Sequence, residues 1–401
     1  MDRTMANSQR THYLDWLRVL LILTVFVFHS QRFFDRGGWQ IKNAQTYFGS
    51  QIVTDFLSTW MMPTIFVVSG AAVFLALGKR RPGQFVLERS LRLLVPLTVG
   101  ILTHVALQRY LELVSQQGYS GSFLQFYPIY LAKAWAHGPI WLGNHLWYLG
   151  MLFAFSMVCL PLFWWLRRGS GTAALAWLGD RLSGPALILL PMVFEMVPMS
   201  LLNPRLGDWA DYNNTGGWNT PAYLVFFLFG FLLASSPRMQ ATILRLRRTY
   251  LWLAAAGGAA SFGALALAGG VNPGTPGFAL TFAVRGATCW VCILAILGYA
   301  MQHLTRSTPF LEYATEAVMP FYVMHQSVLL LIGYFVVRWP VPDLFKWVFI
   351  FAASFASILG VYEVLIRRNN VLRFLFGMKR LPSRPAEAAV QPRLGRDARQ
   401  A

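Results

Sequence analysis

Ten stretches of this chain run for roughly 15 to 26 residues with little charge, lengths that match the hydrocarbon core of a bilayer. They fall at 14–34, 52–77, 86–108, 146–166, 186–202, 221–235, 250–269, 278–300, 318–337 and 345–366. No other feature narrows the fold as much. Lipid offers peptide groups no hydrogen bonds, so each stretch must satisfy its own backbone as a helix. Composition agrees: 56% of the 401 residues are hydrophobic and 12% are charged, about half the charge of an ordinary soluble domain. The expected fold is all-α, a polytopic integral membrane bundle of about ten transmembrane helices. Residues 1–12 form a short N-terminal segment and 13–377 the membrane domain. Residues 378–401, rich in Arg, Pro and Ala with no apolar period, read as a disordered basic tail.

The basic residues orient the bundle. With the N-terminus inside, 24 of the 34 Lys and Arg fall in inner segments and eight in outer loops. That bias is the positive-inside signature and places both termini in the cytoplasm, in a multi-pass protein of the inner (plasma) membrane. It also accounts for the net charge of +18 without nucleic acid as a partner; membrane lipids are the partner it implies. The first apolar run is too long for a cleaved signal and is expected to stay as a helix. Cys159, Cys289 and Cys292 all sit in apolar runs and read as small buried residues rather than a disulfide framework. There is no metal-ligand spacing and no internal repeat.

The first run, YLDWLRVLLILTVFVFHS (residues 13–30), carries Asp15, Arg18 and His29. Ionisable groups at such depth are rare and usually functional. Arg18 and His29 are eleven residues apart, which puts them within about 20° of one face and about 16 Å apart along a helix. Asp15 shares that side and can pair with Arg18. A cation at the inner mouth suits an anionic ligand, and a histidine deeper in suits proton chemistry. The third run opens with ERSLRLLVP, whose Arg89 and Arg92 are helical neighbours at the level of Arg18. Three converging guanidinium groups suit a phosphate-bearing ligand.

Other polar residues are weighed against structural roles. His104 falls near the level of His29. Glu195 and Arg285 can pair within the membrane, which lowers the cost of both charges. His145 starts the fourth run at its outer end, where it can meet an acceptor or cap the helix. His325 falls in the inner half of the ninth run, where packing or donor-side hydrogen bonding is expected. Asp55 is a candidate carboxylate to orient His29. The outer loop NPRLGDWADYNNTGGWNT (203–220) offers Asp208, Trp209 and Asp211, a mixture of ring and polar groups suited to sugars.

The spacing of Arg18 and His29, with LDWLRVL, FVVSGAAVFL (66–75), ERSLRLLVP, HLWYLGMLF (145–153) and MPFYVMHQSVL (319–329), resembles the integral-membrane acyltransferase family 3, and within it the glucan biosynthesis protein C type. The motifs occur in that family's order across nearly all of the hydrophobic chain. The resemblance implies transfer of an acetyl or succinyl class acyl group from cytoplasmic acyl-CoA to a hydroxyl of an extracytoplasmic carbohydrate or lipid-linked glycan. It implies an essential pair in Arg18 and His29, with Arg89 and Arg92 near the donor. Acyl-CoA enters as substrate, and no tightly bound cofactor is expected. No fused soluble domain is seen, so any completing activity would belong to a separate extracytoplasmic partner protein. The competing reading is a proton-coupled small-molecule transporter, since intramembrane Arg, His and Glu also mark proton pathways.

Overall fold

The computed structural model describes residues 3–137, 141–184, 187, 218–267 and 276–381, and every regular element among them is helical. α1 (Arg3–Gln31) and α2 (Phe48–Leu77) are followed by α3, a 36-residue helix over Pro82–Gln117. Two π-helical turns, Ser90–Leu94 and Ile101–Val105, interrupt α3. Such turns shift the phase of a helix and concentrate at functional sites, and the first of them holds Arg92. α4 (Phe123–His137) precedes a 3₁₀ turn at Trp141–Leu146, then α5 (Trp147–Val158), α6 (Leu160–Leu166) and α7 (Gly169–Arg181). The second half holds α8 (Thr220–Ser235), α9 (Pro237–Leu267), α10 (Pro276–His303), α11 (Pro309–Val336), α12 (Asp343–Val361) and the short α13 (Asn370–Leu375).

Local chemistry sets several ends. Asn219 caps α8 by accepting from the Ala222 N–H at 2.9 Å, and Thr308 caps α11 by accepting from Leu311 at 3.1 Å. Each is followed within two residues by a proline, which tolerates the first turn because its missing N–H would be unpaired there anyway. Proline also makes the bends: α5 and α6 meet at 53° just before Pro161, and α8 and α9 meet at 100° just before Pro237.

Among the described residues six helices are long and apolar enough to cross a membrane, or eight if each bent pair is one span. That is fewer than the ten runs counted in the sequence. The run at 186–202 lies outside the described residues apart from Leu187. The runs at 221–235 and 250–269 belong to one bent pair, because α9 stays helical through the basic stretch 238–248 instead of looping there.

In lipid, helices associate through close packing and hydrogen bonds, since lipid tails are as apolar as leucine. The crossing of α2 and α8 shows how close. A Cβ at Gly70 would stand 1.9 Å from the Phe227 carbonyl oxygen, and one at Gly230 would stand 2.0 Å from that of Val67. Two glycines facing each other's helix bring the backbones into contact. α1 packs against α2, α11 and α12, while α9 pairs with α10. Leu344, Val348, Val364 and Leu365 on and just after α12 stay exposed, the outward apolar surface a membrane helix presents. α1 thus has its polar face turned inward, between α2 and α11, and this positions the site.

Candidate active site

A cavity of about 600 Å³ opens beside the first half of the α1 span, and Arg18, Arg89 and Arg92 all line it. The expected convergence of the three arginines is therefore present. Arg18 donates to Asp15 at 2.6 Å, the local pairing foreseen from their spacing. Arg89 lies over the Phe85 ring at 5.1 Å. Among the described residues neither Arg89 nor Arg92 has a carboxylate within salt-bridge distance; of the acids lining the cavity, Glu312 accepts from Ser307 at 3.2 Å and the other two pair with other bases. Glu88 is held by Arg80 at 2.9 Å and Glu316 by Arg373 at 2.6 Å. The cavity therefore carries surplus positive charge suited to anions.

Arg373 and Lys379 extend this wall from the C-terminal segment after α12. Asn369 caps α13, and Gly377, at φ +68°, turns the chain back against α3. A Cβ at Gly377 would meet the Arg92 carbonyl at 2.6 Å, so the turn needs glycine twice over. Residues 378 and 379, placed by the sequence reading in the tail, line the cavity; residues 382–401 lie outside the described chain.

The deep end of the cavity is closed by Ser69, Tyr148 and Tyr322. Ser69 Oγ and the Tyr148 hydroxyl are 2.7 Å apart, and the Tyr322 hydroxyl donates to the His145 carbonyl at 2.5 Å. Behind Tyr322 stand three histidines in a row. The ring centroids of His29 and His325 are 5.1 Å apart, and those of His325 and His145 are 4.9 Å apart. Among the described residues no group of three or more His, Cys, Asp or Glu is arranged to hold a metal ion.

The placement of His325 corrects the sequence reading, which put it in the inner half of its run, far from the outer mouth. Depth was counted from residue 318, but α11 starts at Pro309. His325 is thus sixteen residues into the helix, or about 24 Å, and it lies level with His29. His145 also differs from expectation. It caps nothing: Nε2 faces the Val323 carbonyl at 3.0 Å and Nδ1 faces Gln108 Nε2 at 3.2 Å. A carbonyl only accepts, so Nε2 carries the proton and Nδ1 accepts from the amide. Gln108 is fully buried and also donates to Ser327 Oγ at 2.7 Å, while its carbonyl accepts from Asn144 Nδ2 at 3.0 Å. Asn144 has φ +43°, uncommon for a side chain other than glycine. That turn aims His145 into the bundle, and the amide network holds it there.

On its other side His29 is covered by the loop 32–47. Trp39 stacks on the His29 ring at 6.0 Å and meets Phe33 edge-on at 4.6 Å. Asp35, with no exposed surface, anchors this loop by accepting from Arg32 at 2.5 Å and Lys42 at 2.7 Å. Burial pulls the Lys42 ammonium below its ordinary pKa, and the Asp35 carboxylate opposes that shift. Gln116 donates to the Trp39 carbonyl at 2.7 Å, and the Tyr47 hydroxyl donates to Asp343 at 2.6 Å.

Several candidates fall elsewhere. Asp55 accepts from Gln51 at 2.8 Å and makes no contact with His29, so it does not orient that ring. The His104 ring packs on Phe376 and bonds to Thr103, away from the histidine row; only its carbonyl supports the site, through Ser327. Arg285 reaches Ser58 at 3.3 Å and lies over Trp218 at 5.2 Å. Glu195, Asp208, Trp209 and Asp211 lie outside the described residues. Gln108, Asn144, Tyr322, Trp39 and Asp35 are site residues that the sequence reading did not single out. A fully polar glutamine inside an apolar run was the signal available for Gln108.

The family model of the acyltransferase domain matches residues 11–365. Glucans biosynthesis protein C of Salmonella paratyphi B is 23% identical over 399 residues, covering 96% of this chain and 98% of that one. The same protein of Salmonella dublin and of Salmonella gallinarum matches with the same identity and coverage. No solved structure matches the chain. With the family model spanning most of the chain, this multi-pass membrane protein belongs to the acyltransferase 3 family and is an O-acyltransferase.

Proposed function

We propose that the protein moves an acetyl or succinyl class acyl group from cytoplasmic acyl-CoA to a hydroxyl of an extracytoplasmic glycan or glycolipid. It works in the inner membrane with both termini in the cytoplasm. The observation that carries this reading is the cavity holding Arg18, Arg89 and Arg92, which ends one tyrosine short of the His29–His325–His145 row. Acyl-CoA is anionic at one end and reactive at the other, joined by a long arm, and a basic mouth leading inward to histidine matches that shape. The names of the relatives point to a glucan as the acceptor class.

In this mechanism Arg89 and Arg92 hold the phosphates, with Arg18 completing the mouth. The acceptor hydroxyl enters from the His29 end. Its oxygen attacks the thioester carbonyl as His29 takes its proton. The C–O bond forms, the C–S bond breaks, and the imidazolium returns the proton to the leaving sulfur, releasing CoA as a thiol. Carbohydrate at the outer face is met by loop groups including Asp208, Trp209 and Asp211, and Asp55 and His145 no longer figure as its contacts.

The test is calorimetric and chemical. Purified protein in nanodiscs is titrated with CoA, then given acetyl- or succinyl-CoA and a glucan while free thiol is measured. Arg89→Ala and Arg92→Ala should each weaken CoA binding by about 10-fold or more, the scale of a lost charge-assisted hydrogen bond. Arg92→Lys should fall between, because it keeps charge but loses the planar fork. Unchanged CoA affinity in both alanine variants would remove the donor assignment, and CoA binding without thiol release under any acceptor would favour a transporter.

A further inference from the structure

Within the reaction centre His29 has an unmet need. Its Nδ1 is buried with no hydrogen-bond partner, and so is Nε2 of His325. Buried nitrogens are normally paired, and an unpaired one costs about 1–3 kcal/mol. Here two such atoms belong to rings whose centroids are 5.1 Å apart. Rings at that separation need only turn to bring facing nitrogens into hydrogen-bond range, about 2.7–3.2 Å.

The protonation states are complementary. His325 Nδ1 lies 2.6 Å from the Tyr322 carbonyl. A carbonyl cannot donate, so Nδ1 of neutral His325 carries the hydrogen and Nε2 is a bare acceptor. No other neighbour offers His29 the same. His145 spends both nitrogens on Val323 and Gln108. Asp35 is spent on Arg32 and Lys42, and Asp55 bonds to Gln51. Among the described residues no carboxylate hydrogen-bonds to His29.

We propose that His325 is the positioning residue of the reaction centre, accepting a hydrogen bond from His29 Nδ1–H at its Nε2. This inference rests on the acyl-transfer reading and deepens it. The bond would hold His29 in the tautomer whose Nε2 lone pair is free to take the acceptor hydroxyl's proton. When that proton arrives, the imidazolium keeps its Nδ1–H bond to the neutral partner. A histidine does here what an acidic residue does in a hydrolase triad. A neutral partner avoids burying a second charge, which the surrounding Phe28, Trp39 and Tyr322 rings could not solvate.

Two substitutions and a measurement of tautomers separate positioning from packing. Asparagine at 325 can keep the bond to the Tyr322 carbonyl but places no acceptor where Nε2 stands. Glutamine reaches that place with its carbonyl oxygen. His325→Asn should lower kcat by about 10–100-fold, the usual cost of losing a group that orients a functional histidine. Its affinity for CoA should be unchanged, and His325→Gln should recover most of the rate. Glutamine also fills more of the histidine's volume than asparagine does, so packing alone would give the same order of rates but would leave the tautomer of His29 unmoved. The second measurement needs no substrate: nitrogen-15 NMR of the histidines in the wild-type and His325→Asn proteins. His29 should be an Nδ1–H tautomer in the wild type, and the His325→Asn protein should lose that preference. An Nε2–H tautomer of His29 in the wild type, or an Asn variant as fast as the Gln variant, overturns the proposal. If the tautomer is as stated but no donor is consumed, the acyl-transfer reading fails and the pair stands.

Discussion

His29 sits on a helix built mostly of Leu, Val, Ile and Phe, and on the proposed reading it is the base of the reaction. One side of the ring meets Trp39, another meets His325, and the basic cavity ends close behind Tyr322. A base placed this way typically contributes about 10²–10⁴-fold. His29→Ala should therefore reduce acyl transfer by that range while leaving insertion and CoA affinity intact, because alanine suits an apolar helix. His29→Gln should be equally slow, since an amide bonds hydrogen but does not carry a proton; a Gln variant with wild-type turnover would make the residue structural. At this scale the sequence was informative where helical geometry alone decides. Eleven residues return Arg18 and His29 to one face, and three residues make Arg89 and Arg92 neighbours, and all three arginines meet. It was uninformative where a partner comes from a distant helix. The start signal of α11, Thr308 followed by Pro309, lies ahead of the apolar run, so depth counted from residue 318 misjudged the level of His325. The amide network around Gln108 joins α3, α11 and the turn before α5, and no spacing within one helix encodes it.

Among the elements, the crossing of α2 and α8 tolerates the least change. Gly70 and Gly230 each face the opposing backbone at a distance no Cβ fits. Forcing a larger residue into such a contact costs about 1–3 kcal/mol or moves the helices apart. Gly230→Val should lower the thermal midpoint measured in detergent, and Gly263→Val, where nothing lies within 4 Å, should not. Equal midpoints for the two variants would mean that the close crossing contributes nothing. Helix existence was legible where an apolar run spans the bilayer, because lipid leaves the backbone no alternative; α4, α7 and α13 lie outside those runs and were not foreseen. Helix continuity was not. A basic stretch such as 238–248 satisfies the same composition whether it loops or continues a helix, and here α9 continues.

The described residues form an all-helical bundle with a basic cavity beside one end of the α1 span and an aromatic loop at the other. Its orientation in the membrane is open to a direct check. The charge bias predicts that the loop 32–47 faces outward and that Lys79 faces the cytoplasm. The cysteines of the chain are buried and form no disulfide, so they leave a quiet background for labelling. Ala44→Cys should react with an impermeant maleimide on intact cells, and Lys79→Cys only after the membrane is opened. The reverse pattern would invert the assignment of donor and acceptor sides.

The seat of Trp39 over His29 has a cost-free corollary for the cell's energy supply. A catalyst that receives its donor from one compartment and its acceptor from the other has two approaches to a single imidazole. Were both wet together, protons would run through it down the membrane potential, each releasing about 2.3 kcal/mol per 100 mV. The Tyr322 ring meets His325 and His145, and Trp39, on the loop anchored by Asp35, meets His29. On the proposed acyl-transfer reading these rings would keep the two approaches from joining into a proton wire, so that a group is handed across the membrane without discharging it.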